Sequence, residues 1–270
     1  MRPRSALLAA PALAAALSAE PWYRFRPQAE LGFLAVLSNR IQFGKNGTYF
    51  DYQRYGGQDN LYFVARLSME VEIARQHSFT FLYQPVEIVS RVQLAQDLVV
   101  DEARFAKGTP MEFKYGFPYY RFSYLFDFFA DDRRELAIGL SAQIRNATIE
   151  FATANGEVLK SYRDIGFVPL LKARGRYNFS NGLFVGTEID GIYAPIRGVN
   201  GSDNEVTGAL VDASVRVGLK LPLRSEAFLN VRYLAGGAAG QSDPEAFSDG
   251  RTKNWLHFMT VSLGGTISSF

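Results

Sequence analysis

An all-β protein is what this sequence predicts: ten antiparallel strands running up and down in chain order. Three observations carry that prediction. Apolar residues recur at every second position, short and long connections alternate, and no stretch beyond residue 20 reaches the roughly 18–20 apolar residues of a membrane-crossing helix. The 270 residues, 47% of them apolar, are ample for a folded unit, so fibrous and disordered classes are excluded. Zero cysteines remove disulfides, thiol catalysis and cysteine-bound metal.

The opening strand carries Leu31, Phe33, Ala35 and Leu37 on one face, with Glu30 on the other. The second runs from Leu61 to Ile73, with Phe63, Ala65, Leu67, Met69 and Val71 opposite Arg66, Glu70 and Glu72. A helix, turning about 100° per residue, cannot sort side chains this way. Phe79, Phe81 and Tyr83 form the third. The fourth holds Tyr120, Phe122, Tyr124, Phe126 and Phe128 against Arg121 and Asp127. The fifth holds Leu136, Ile138, Leu140, Ala142 and Ile144 against Arg145. The sixth sets Leu171, Ala173, Gly175, Tyr177 and Phe179 against the basic ladder Lys172, Arg174, Arg176; the seventh sets Leu183, Val185, Ile189 and Tyr193 against Glu188 and Asp190. Ala209–Leu221 places Asp212, Arg216 and Lys220 on its polar face, and the ninth places Arg232 opposite Leu229, Val231 and Tyr233. Met259, Val261, Leu263 and Ile267 close the series. None of these apolar faces carries a charge.

Ala74–Ser78, Ala130–Arg134, Ser180–Gly182 and Pro222–Ser225 read as tight turns, rich in Ser, Asn, Gly, Pro and charge. Ser38–Asn60, Gln84–Tyr119, Ala152–Val168, Ala194–Val206 and Gly236–Asn254 are long. A strict short–long alternation with an even strand count is the arrangement of an up-and-down barrel in an outer membrane, with short periplasmic turns and long external loops.

A soluble barrel alternates as well, but buries its apolar face. Four features favour the inverted arrangement. Arg2 and Arg4, the apolar stretch Ala6–Leu17 and the small residues up to Ala19 have the order of a secretory signal peptide, with cleavage after Ala19 or after Ala16. Rings gather at both strand ends: Phe79, Phe128 and Phe179 near the turns, Tyr83, Tyr120, Tyr193 and Tyr233 near the loops. The strands, about 9–11 residues, suit a tilted span. The chain ends on Phe270. The expected organisation is a signal segment over 1–19 and one barrel domain over 20–270. Removing Arg2 and Arg4 leaves a formally neutral chain, so no field recruits nucleic acid.

Over its mature length the sequence resembles the small outer-membrane β-barrels of Gram-negative bacteria, whose ten-stranded class includes omptin proteases and opacity-type adhesins. The Gly108-Thr109-Pro110 step, the aromatic strand Tyr119–Phe129 and the strand end Ile144-Arg145-Asn146-Ala147 also resemble uncharacterised barrels, a likeness that implies no function. The resemblance implies outer-membrane lipids and the barrel assembly machinery as partners. In the closing strand the apolar set Met259, Val261, Leu263, Ile267 is out of phase with Phe270. That implies either a bulge near Gly264-Gly265 or a terminal aromatic that is not the assembly signal.

Candidate chemistry is sparse. Omptin-like proteolysis pairs Asp-x-Asp with Asp-x-His; the nearest analogue is Glu188-x-Asp190, and Trp255 stands where the second motif needs Asp. A His-x-Ser deacylase pattern fails because Met259 stands where the pattern, counted from His257, needs Ser. A general base without nucleophile or orienting partner is not a site. No catalytic, cofactor or metal residue is therefore assigned. The expected lumen-lining charges are Arg66, Glu70, Glu72, Arg121, Asp127, Arg145, Lys172, Arg174, Arg176, Glu188, Asp190, Asp212, Arg216, Lys220 and Arg232, read as an internal salt-bridge network in which the ladder Lys172–Arg176 faces Glu188 and Asp190. A ten-strand lumen is close to the size that side chains fill. The leading expectation is a non-enzymatic barrel acting through its external loops, with a possible extracellular ligand, or as a structural component. A narrow solute channel and a membrane-embedded hydrolase are the alternatives. The connection Val86–Phe117 keeps some alternation and is expected to continue its neighbouring strands as a projecting hairpin.

Overall fold

The computed structural model describes residues 22–197, 205–241 and 248–269; the expected signal segment, its cleavage site and Phe270 lie outside them. Period-two patterning becomes strand throughout. Ten long strands form the wall: β1 (Tyr23–Phe43), β3 (Leu61–Ile73), β4 (His77–Gln84), β9 (Tyr119–Asp127), β10 (Arg134–Thr153), β11 (Leu159–Asn178), β12 (Leu183–Arg197), β13 (Glu205–Leu221), β14 (Ser225–Gln241) and β15 (Arg251–Ile267). Each pairs antiparallel with its neighbours, and β1 pairs β15 to close the cylinder. All ten strands of the sequence reading are there, in an all-β closed barrel.

The short turns lie at one end, called here the inner end. Two of them bend through consecutive residues in the left-handed region, Ala74-Arg75 and Leu223-Arg224, the backbone of a tight hairpin whose twist matches that of its strands. The other end, called the outer end, is not loop but mostly continued strand. β10 and β11 stay paired out to Ala152–Leu159, and β14 and β15 out to Gln241–Arg251. The sequence boundaries are corrected here. Along β10 the inward residues change from Ser141, Gln143 and Arg145 to Ala147, Ile149 and Phe151, while the outward ones change from Leu140, Ala142 and Ile144 to Asn146, Thr148 and Glu150. The strand keeps its phase and exchanges its polarity. The inner two-thirds are greasy outside, as a lipid-facing wall must be; the outer third is greasy inside, like a water-soluble barrel.

The longest connection is a projecting hairpin, as expected, with an added fold. β5 (Glu87–Gln93) and β8 (Pro110–Gly116) continue β4 and β9 outward, and β8 also pairs along the outer part of β10. At its tip β6 (Leu98–Val100) and β7 (Ala103–Phe105) fold back over the mouth, where the backbone N–H of Asp101 donates to the carbonyl of Phe43 at 3.1 Å. The first outer connection adds β2 (Phe50–Asp51), which pairs β1, and one helical turn, α1 (Tyr52–Tyr55). Asp51 caps that turn by accepting from the backbone N–H groups of Gln53 and Arg54.

Of the two alternatives for the closing strand, the bulge near Gly264-Gly265 is absent. The β1–β15 ladder shifts between Val36 and Ser38, not near Gly264-Gly265, where both neighbours stay in continuous register. The bulge switches the inward phase of β1 from the even positions up to Val36 to the odd ones from Asn39, and so turns Ile41 and Phe43 inward.

Candidate functional site

Inward-facing positions of ten strands converge in a lumen that they occupy in three layers, packed through the middle and leaving space at either end. The inner layer is ionic and partly open. Arg26 reaches Glu70 at 2.6 Å, Arg174 pairs with both Glu70 and Glu135, and Arg176 grips Glu226 with two bonds of 2.6 and 2.9 Å. Below these contacts a polar vestibule of about 390 Å³ opens at the inner end.

The middle layer is a dense charge cluster. Arg121 lies 2.9 Å from Asp190 and 2.8 Å from Asp212. Its Nε and Nη2 donate to Gln143 at 3.0 and 2.6 Å. Lys172 holds Asp190 at 2.8 Å and Glu188 at 3.1 Å, and Arg232 holds Asp212 at 2.6 Å. Ser141 donates to Asp190. Glu30 accepts from Asn230 at 2.8 Å and Ser262 at 2.9 Å, while Arg66 donates to Gln84 at 2.8 Å. Alternating sign is what makes such burial tolerable, because an isolated charge in a low-dielectric interior costs many kcal/mol.

The outer layer is apolar. Phe50 and Tyr52 descend from the first connection and pack against Phe113 and Phe151, with ring centroids 5.2 to 6.0 Å apart. Asn39 and Gln58, both fully buried, bond each other at 2.9 Å beside this plug. Tyr115 bridges to Asn254, and burial pushes its phenol up to about 12.

The expected lumen charges are brought together unevenly. Arg66, Arg121, Lys172, Glu188, Asp190, Asp212 and Arg232 share the central cluster; Glu70, Glu72, Arg174 and Arg176 belong to the inner layer. The ladder Lys172–Arg176 does not face Glu188 and Asp190 as a block. Only Lys172 does, because Arg174 turns to Glu70 and Glu135, and Arg176 to Glu226. Asp127 accepts the backbone N–H groups of Phe129 and Leu136 and so organises its turn. Arg145 pairs with the exposed Asp164 near the outer rim, Arg216 donates to Gln28 at 3.0 Å, and Lys220 is exposed at the inner end. Arg26, Glu135, Glu226 and Gln143 were missed. Each occupies the polar phase of a recognised strand or its continuation: one residue more at the inner end recovers Glu135 and Glu226, whereas Arg26 needs the first strand continued by four residues beyond Glu30. His257 bonds Tyr233 at 2.6 Å on the outward face, on the far side of the wall from Asp190.

No family model matches this chain, and no curated protein sequence does. Its architecture is similar to that of the outer membrane protease OmpT from Escherichia coli, with a TM-score of 0.55, 10% identity, and 91% of this chain and 97% of that chain covered. This is the fold of a small outer-membrane β-barrel. The transport unit of the autotransporter AIDA-I from Escherichia coli superposes less closely, with a TM-score of 0.41 at 9% identity and 96% of both chains covered. At such identities the barrel itself is what is shared. Within this barrel the acid cluster and the two histidines do not converge: His77 bonds Tyr124 at the inner turn end, 2.9 Å away.

Proposed function

We propose that this chain resides in a bacterial outer membrane as a non-conducting, non-enzymatic barrel whose working surface is its strand-built outer end. The observation that carries the reading is the doubly sealed lumen. The central ion pairs fill its middle, and the Phe50–Tyr52–Phe113–Phe151 plug fills its mouth beneath the folded-back β6–β7 hairpin. Solutes have no wide path through two consecutive layers of interlocked side chains. The outward charge-free band of Leu140, Phe122, Leu171 and their neighbours supports a lipid surround, since a charge there costs roughly 2–4 kcal/mol at mid-depth. The separation of His257 from every buried carboxylate by the barrel wall supports the non-enzymatic reading. An extracellular ligand, on this reading, meets the exposed faces of β5, β8 and the first connection.

Planar-bilayer recording on the purified full chain tests it. Silent bilayers at high protein load are expected, and steady, reproducible openings overturn the reading. The channel alternative then stands instead.

A further inference from the structure

A cavity of about 470 Å³ lies in the outer third of the lumen, within the size range of small-molecule sites. Val168, Ile192, Leu210, Leu234, Leu256 and Phe117 supply its apolar lining. It exists because the wall is stripped of side-chain volume on one side: Gly166, Ala194, Gly208 and Gly236 stand where the opposite wall carries the aromatic plug.

The same place is where the wall is unclosed. The β11–β12 ladder runs from Asn178–Phe184 only to Leu171–Gly191, whereas β11 remains paired with β10 to Leu159 and β12 with β13 to Arg197. Among the described residues, then, two strand edges part from each other while each keeps its other neighbour. The parting begins one pair short of Tyr193, which points outward in the outer aromatic girdle. The cavity reaches through it, because its lining includes the outward-facing Phe167 and Pro169 as well as inward residues of both strands. Unpaired N–H and C=O groups facing hydrocarbon cost several kcal/mol each, so such a parting is tolerated only at the interface or against a cavity. Here it is both.

We propose that this cavity binds an unbranched alkyl chain of a membrane amphiphile, which enters sideways between β11 and β12. The commitment to an alkyl chain follows from what adjoins the opening. Phe167, paired with Ile144 at the edge of the apolar outer band, is large, apolar and exposed, so the door opens at the lipid boundary, and the apolar lining behind it is continuous with it in chemistry. The polar groups, Arg145, Asn254 and Tyr115, border the site, and the Nε of Arg145 is buried without a hydrogen-bond partner. A head group stays at that border while the chain goes in. This inference goes beyond the proposed function and rests only on the barrel and its surround.

The full chain is reconstituted in phosphatidylcholine vesicles and probed in two arms. In the first, dansyl-undecanoic acid is titrated and its fluorescence followed against protein-free vesicles. In the second, the vesicles carry a phosphatidylcholine with a photoactivatable group at one acyl terminus, and labelled peptides are identified by mass spectrometry. Gly208→Leu fills the cavity; a Cβ at that position meets its nearest neighbour, the Gly237 carbonyl oxygen, at an ordinary 3.7 Å. Ala194→Phe fills it from the other strand, should the first variant fail to assemble. Saturable binding in the first arm, weakened about tenfold or more by either filling variant, identifies a free single-chain amphiphile. Labelling of the segment around Leu210 or Leu234, lost in the variants, identifies a bilayer lipid. Neither signal, or signals indifferent to both variants, overturns the proposal.

Discussion

Arg121 on β9 and Asp190 on β12, three strands apart around the wall, meet at 2.9 Å with side-chain exposures of 1% and 0%. No local pattern links them; only closure of the barrel does. Removing the cation is the severe perturbation, since Asp190 and Asp212 both lose a partner where water cannot replace it. Arg121→Ala is expected to cost about 3–5 kcal/mol, the range for breaking a buried pair. Arg121→Met combined with Asp212→Asn is expected to recover part of that loss, because the net charge of the cluster is then restored and the new amide still offers Arg232 an acceptor. Urea unfolding in detergent micelles, read by the electrophoretic mobility of folded and unfolded forms, checks both.

The exchange of polarity along β10 gives a second expectation. Leu140→Arg puts a cation on the lipid-facing wall, at a cost of roughly 2–4 kcal/mol, and is expected to block assembly. Thr148→Arg lies on the same outward face beyond the exchange and is expected to assemble normally. Recovery of heat-resistant barrel in isolated membranes separates the two. Equal recovery would mean that the lipid-facing zone does not end near Ile144.

How much of this was legible follows from that strand. Leu136 to Ile144 could be read because apolar residues held one phase against a polar one, and the same rule located all ten strands. Beyond Arg145 the apolar phase switches to Ala147, Ile149 and Phe151, and a reader tracking one greasy face sees the strand end. Leu210, Leu234, Leu256 and Phe258 were hidden for the same reason: they occupy the phase reserved for charges. The signal was present as stretches apolar on both faces, such as Leu210-Val211 and Tyr233-Leu234-Ala235. The partners of Arg174 and Arg176 were not legible at all. Pairing register sets Arg174 beside Glu188, yet a long guanidinium arm selects among carboxylates across a narrow lumen, and that choice depends on the closed three-dimensional packing.

Leu223 bends the β13–β14 turn at φ 60°, and its side chain is 92% exposed. It therefore bears the steric cost of the left-handed region without packing to offset it, on the order of 1 kcal/mol. Leu223→Asn, a residue that tolerates this conformation, is expected to stabilise the barrel by about that amount. A higher midpoint in heat-induced loss of the folded electrophoretic band is the readout, and a lowered midpoint would contradict the turn geometry.

The aromatic plug yields the last expectation. Tyr52 is fully buried, its hydroxyl has no hydrogen-bond partner, and burial pushes its phenol well above the ordinary value. A buried hydroxyl left unsatisfied costs about 1–3 kcal/mol, so Tyr52→Phe is expected to be neutral or stabilising by about 1 kcal/mol at pH 7. Tyr52→Ala, which empties the space against Phe50, Phe113 and Phe151, is expected to cost about 3–5 kcal/mol. The pH dependence has a definite sign. The folded state holds this proton more tightly than the unfolded one, so its contribution is constant below the ordinary phenol pKa of about 10 and falls as pH rises past it. Tyr115, pushed up to about 12, adds a loss of the same sign. Thermal midpoints measured at neutral pH and at about pH 11 should therefore drop less in Tyr52→Phe than in the unmodified chain. An equal drop would mean that the phenol reaches water and that the mouth of the barrel is not sealed by this ring.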